Sequence, residues 1–179
     1  MAFAEPYRRQ VALLLRTLPH VAAEDCFALK GGTAINLFIR DMPRLSVDID
    51  LTYLPIESRE QSLAAIDAAM KRIAGRLRRA LPGVKISESR TESAITKLFV
   101  REAGAQVKIE VTPVLRGSVF EPQMRAVSPA VEENFGFAET LVVSFADVLA
   151  KIVNGHPNSA IDDLLPWIYI GAEPLKAVA

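Results

Sequence analysis

The chain has 179 residues, half of them hydrophobic and 23% charged. That fits one ordinary globular domain with an appendage and excludes a disordered chain. Lysine plus arginine balances aspartate plus glutamate at 21 each, so affinity for nucleic acid or anionic lipid has to come from a local patch. The single cysteine, Cys26, excludes a disulfide framework, and with two histidines a Cys/His zinc site is not expected. No apolar run approaches the ~18 residues that span a bilayer. The N-terminal charges stand in the wrong order for a secretory signal, so a reducing, cytoplasmic setting away from membranes is expected.

Pro6 opens a helix whose apolar positions Val11, Leu14, Leu15 and Leu18 recur at helical spacing up to Pro19-His20. Cys26 to Leu29 suits a short buried strand, which stops at Lys30-Gly31-Gly32-Thr33 before a short helix over Ala34–Arg40. From Arg44 to Tyr53 the period changes to two: Leu45, Val47, Ile49 and Leu51 alternate with Ser46, Asp48, Asp50 and Thr52. That is a strand with one buried and one accessible face. Ser58 precedes the clearest helix, with Leu63, Ile66, Met70, Ile73, Leu77 and Leu81 in one stripe ended by Pro82-Gly83. Strands are expected over Val84–Ser87, Ala94–Arg101 and Gln106–Thr112, the last two joined as a hairpin by Glu102-Ala-Gly-Ala. Pro113 to Gly136 reads as irregular. Ser144 suits an N-cap for a helix over Phe145–Val153, Asn154-Gly155 a stop, and Ser159 the cap of a last helix to about Leu165.

Three features carry chemistry. On a strand, Asp48 and Asp50 point to the same side about 6.6 Å apart, whereas on a helix they would diverge by about 200°. Two parallel carboxylates on a rigid strand can grip a divalent metal, although Asp-x-Asp is also common on inert, solvated sheet faces. Gly31-Gly32-Thr33 lies between a strand and a helix, where backbone can approach a ligand closely and unpaired N–H groups suit a phosphate tail. The plain alternative is a tight turn with a capping threonine. Finally, Val107, Ile109 and Val111 face inward, leaving Gln106, Lys108 and Glu110 on the other side. If this strand lies beside that of Asp48, Glu110 becomes a third carboxylate, and the three repel unless cations sit among them. A solvated edge is the bland reading of Lys108 and Glu110.

Lys30-Gly-Gly-Thr-Ala, Arg44-Leu-Ser-Val-Asp-Ile-Asp-Leu51 and Lys108-Ile-Glu-Val111 together resemble the AbiEii/AbiGii-type nucleotidyltransferase toxins, relatives of the DNA polymerase β superfamily, over about residues 7–145. The resemblance implies an α+β fold: a polymerase β-like mixed sheet flanked by helices, with a short helical C-terminal tail. It implies Asp48, Asp50 and Glu110 as catalytic residues and ligands of Mg²⁺ (or Mn²⁺), with Glu110 helping to activate the attacking hydroxyl. Lys30, Gly31, Gly32, Thr33, Arg44 and Ser46 would bind the nucleoside triphosphate. The implied reaction moves a nucleotide from an NTP to an acceptor such as the 3′ end of tRNA or another RNA, and the implied partner is a cognate antitoxin. Lys71, Arg72, Arg76, Arg78 and Arg79, at the end of the long helix, suit an RNA backbone or a solvated face.

The family continues into a helical half with a catalytic lysine and an Arg-Asp-Leu-x-Asp-like segment. Ser144-Phe-Ala-Asp-Val-Leu-Ala-Lys151 begins in that way, and Lys151 matches the lysine by position. Beyond it, Gly155-His-Pro-Asn-Ser-Ala-Ile-Asp-Asp-Leu-Leu-Pro-Trp167 resembles the tail of transposases from one insertion-sequence family. The expected division is a nucleotidyltransferase core over residues 1–145 and a helical tail over residues 146–179 in place of the family's second half, with Lys151 then coincidental. The expected function is the Mg²⁺-dependent nucleotidyltransferase, intact or impaired by the altered tail, with a non-catalytic remnant that binds nucleotide, RNA or antitoxin as the alternative.

Overall fold

The fold is built on a seven-stranded sheet. Its strands are β1 (Phe27–Lys30), β2 (Asp48–Tyr53), β3 (Lys85–Thr91), β4 (Ala94–Glu102), β5 (Ala105–Arg116), β6 (Gln123–Ala126) and β7 (Glu139–Val142). They run in the order β3-β4-β5-β2-β1-β7-β6. The structure is a computed structural model and describes residues 4–41 and 47–147. Pairs β2/β5 and β1/β7 are parallel and the other neighbours antiparallel, so the sheet is mixed. With helices against it, this is an α+β architecture, a mixed sheet flanked by helices.

On one face Ile49, Leu51, Leu98, Val100, Val107, Ile109 and Val111 are at most 2% exposed. They share a single core with α1 (Glu5–Ala22) and α3 (Arg59–Ala80). Each such side chain contributes about 1.5–3 kcal/mol on leaving water. The pleat turns the alternate residues Asp48, Asp50, Lys97, Lys108 and Glu110 to the opposite face. Helix α3 buries Ile66, Met70, Ile73 and Leu77 completely. It opens with a reciprocal cap, in which Ser58 Oγ accepts from the Gln61 N–H while the Gln61 side chain accepts from the Ser58 N–H.

Several boundaries differ from the sequence reading, each for a physical reason. Helix α1 runs through Pro19 to Ala22 because Leu18 and Val21, on either side of the proline, are both buried. Arg76 also donates to the otherwise open His20 carbonyl at 3.0 and 3.2 Å. The helix expected from Ala34 begins earlier, as a single turn α2 (Gly31–Thr33), and continues as a π-helical segment over Ala34–Ile39. Strand β5 continues past Thr112 because its register against β2 shifts between Leu51 and Tyr53, an irregularity that accommodates Pro113. Two-residue turns close the β3–β4 and β4–β5 hairpins, with positive φ at Glu92, Ser93, Ala103 and Gly104.

The stretch read as irregular contains β6 and a short helix α4 (Pro129–Phe135). Every residue of β6 is exposed and α4 buries only Val131, so neither writes an apolar period into the sequence. Ser144 does cap the next helical turn: its Oγ accepts from the Asp147 N–H at 3.0 Å. The buried Asp147 carboxylate in turn collects Ser118 Oγ, Ser144 Oγ and the N–H groups of Val119 and Phe120, which pins the loop after β5. Arg44, Ser46, Lys151, the helix expected at Ser159–Leu165 and all but the first two residues of the transposase-like tail lie outside the described residues.

Candidate active site

Register decides which charged groups meet. Lys30 on β1 stands opposite Asp50 on β2, Asp50 stands beside Glu110 on β5, and Glu110 stands opposite Lys97 on β4. One row across four strands therefore reads plus, minus, minus, plus. In the next row Asp48 stands beside Lys108. The three carboxylates expected from the sequence thus share one face of two adjacent strands. The cations found among them are lysines. Lys97 Nζ is 2.8 Å from Glu110 Oε1, while Lys108 Nζ is 2.8 Å from Glu110 Oε2 and 3.4 Å from Asp48 Oδ2. Lys30 Nζ donates to Thr112 Oγ1 at 3.4 Å.

The glycine turn comes up against this face. Gly31 has a φ of +74°, and a Cβ placed there would lie 2.8 Å from Asp50 Oδ2, so only glycine lets the backbone pass so close to the carboxylate. Thr33 is fully buried and its hydroxyl donates to the Asp48 carbonyl, tying the turn to the start of β2. Any phosphate contact from this segment therefore falls to backbone rather than to that hydroxyl. Asn36 Nδ2 donates to the Gly32 carbonyl at 2.7 Å, holding the second glycine.

The electrostatics follow from burial and these neighbours. Burial pushes the Asp50 carboxyl above its ordinary value; Asp48 and Glu110 add to the rise, while Lys108 and Lys30 oppose it. Glu110 also feels burial, but hydrogen bonds from Lys108 and Lys97 outweigh it and hold the carboxyl low. Lys108 is raised, first by its bond to Glu110. Lys30 is lowered by burial, against the pull of Asp50 and Glu110. Burial pushes the Cys26 thiol up to about 11, so it is no thiolate nucleophile at neutral pH.

The donor set suits a hard divalent cation, being carboxylate oxygen throughout. As arranged, no group of three or more His, Cys, Asp or Glu among the described residues is gathered to hold a metal ion.

The basic end of α3 is mostly spent within the fold. Lys71 pairs with Asp67, Arg72 and Arg76 with the buried Glu24, and Arg78 with Glu88. An RNA-binding role for this helix loses most of its charge to those pairs. Lys97, by contrast, was not singled out from the sequence. Its signal was the two-residue turn at Ala103-Gly104: counting back from that turn pairs Lys97 with Glu110.

The family described as nucleotidyl transferase AbiEii toxin, Type IV TA system, matches residues 12–151. No curated protein matches the chain.

Proposed function

The chain belongs to the AbiEii nucleotidyltransferase toxin family, and on that premise we propose that it transfers a nucleotide from a nucleoside triphosphate to an acceptor such as the 3′ end of tRNA. The observation that carries this is the row of Asp50 beside Glu110, with Asp48 two residues away and the Gly31 backbone pressed against Asp50. A divalent cation, Mg²⁺ or Mn²⁺, would be held by Asp48, Asp50 and Glu110. When bound it would neutralise charge building on the attacking and leaving oxygens.

The remaining work belongs to the chain itself. Rigid adjacent strands keep the acids aligned with little reorganisation, as such a site requires. Backbone N–H groups at Gly31 and Gly32 would receive phosphate oxygens, with Lys30 and Arg44 supplying positive charge. Glu110 would orient the acceptor hydroxyl or help to deprotonate it, from the same sheet face as Asp48 and Asp50. The cognate partner is an antitoxin, consistent with the family's toxin–antitoxin character. Among the described residues no helix is long and apolar enough to cross a membrane.

The test is incubation with Mg²⁺, each labelled triphosphate in turn and total tRNA. Label should enter RNA with the wild-type chain and fall by roughly 100-fold or more in Asp48→Ala and Asp50→Ala. Incorporation that survives both substitutions would take these carboxylates out of the chemistry. The transposase-like sequence from Gly155 onward favours a second reading, a non-catalytic remnant. Triphosphate binding with no transfer to any acceptor would support that one.

A further inference from the structure

Resting on the reading above, we propose that Lys108 is a competitor built into the cation site: its ammonium ties down Glu110 and Asp48, and a divalent cation can gather those carboxylates only as Lys108 lets go.

Both oxygens of Glu110 are held, Oε1 by Lys97 and Oε2 by Lys108, at 2.8 Å each. Lys108 is also the group that reaches Asp48, at 3.4 Å. A magnesium-sized ion binds carboxylate oxygen at about 2.0–2.1 Å. Placed on Glu110 Oε2 it would crowd the Lys108 ammonium, and a +1/+2 repulsion at such range is large in a half-buried site. Ammonium and metal ion are therefore alternatives at this position.

Lys108 is free to yield. Its side chain keeps 28% of its accessibility, and a four-carbon stem gives the ammonium reach. Once released it remains on the same sheet face as Lys30, where the chemistry that would take it is a phosphate oxygen. Cation and triphosphate would then each favour the same displaced lysine, which makes their binding mutually reinforcing. Lys97 touches Glu110 but no other carboxylate of the trio, so it is the weaker competitor.

The experiment titrates Mn²⁺ alone into the full chain and reads free Mn²⁺ by electron paramagnetic resonance. Lys108→Gln is expected to bind Mn²⁺ about tenfold more tightly than wild type, a gain of about 1.4 kcal/mol. Lys97→Gln should show a smaller gain, and Asp48→Ala should lose binding. Affinity of Lys108→Gln equal to or weaker than wild type overturns the proposal while leaving the carboxylate site standing. Should Lys108→Gln not fold, Lys108→Arg decides: a guanidinium grips the two acids with more donors and should weaken Mn²⁺ binding, so unchanged or tighter binding overturns the proposal. Absence of Mn²⁺ binding in both wild type and Lys108→Gln would overturn the cation-site reading beneath it, and this inference with it.

Discussion

At the scale of single residues, the most exacting position is Gly31. Its φ of +74° and the 2.8 Å approach of a virtual Cβ to Asp50 Oδ2 impose two separate penalties on any side chain. The left-handed conformation costs about 1–2 kcal/mol for an L-residue. The clash has to be relieved by moving either the turn or the Asp50 carboxylate. Gly31→Ala should therefore lower stability by about 1–2 kcal/mol in a urea titration. It should also lose transfer activity by far more than Gly83→Ala, where nothing lies within 4 Å of the added Cβ. Equal loss of activity in both variants would mean that backbone strain alone, rather than the contact with Asp50, makes Gly31 necessary.

Between elements, the ends of α1 and α3 are joined by one buried acid. The Glu24 side chain keeps only 5% of its accessibility and receives Arg72 and Arg76, each with a contact of 2.6 Å, while Arg76 also serves the His20 carbonyl. Burial raises the Glu24 carboxyl, but the two guanidinium groups outweigh that and leave it below its ordinary value. A depressed carboxylate stabilises the fold above its unfolded pKa and loses that contribution as pH falls through the folded one. Glu24→Gln should cost about 1.5 kcal/mol at neutral pH, since it leaves Arg72 and Arg76 partly exposed rather than stranded in the core. The gap between variant and wild type should close as urea titrations are repeated below about pH 4.5, and a gap that persists there would refute the ion-pair account. In the same helix, exposed Pro19 removes an N–H that α1 could use, so Pro19→Ala should raise stability by about 1 kcal/mol or more. These long-range pairs also show where legibility stops. The stripe of α3, the alternation around Asp48 and the turn that pairs Lys97 with Glu110 are local patterns, and each is written in the chain. The parallel pairing of β2 with β5 joins segments some sixty residues apart, and no local period encodes it. β6 and β7 are four residues each, too short for alternation to rise above chance. The lysines among the acids were visible as residues; what was missing was the register that makes them neighbours.

For the molecule as a whole, the sheet separates two jobs by the direction of alternate side chains. Residues 107, 109 and 111 hold the core, while Lys108 and Glu110, between them, hold the charged face. Stability and site chemistry should then be separable by substitutions one residue apart. Ile109 is fully buried, so Ile109→Ala should cost about 2–5 kcal/mol through lost burial and a residual cavity. That corresponds to a fall in melting temperature of roughly 5–15 °C. Measured well below its own melting point, the variant should keep Mn²⁺ affinity within about twofold of wild type, because its side chain leaves the charged face untouched. Glu110→Gln is the converse: it removes partly exposed ion pairs worth about 0–1 kcal/mol each, so melting should shift little while Mn²⁺ affinity falls. Calorimetry and a manganese titration on the two variants give four numbers, and the expectation is that they cross. Were Ile109→Ala to weaken manganese binding as much as Glu110→Gln does, the acids would owe their alignment to core packing more than to strand register, and the charged face could not be treated as a unit of its own.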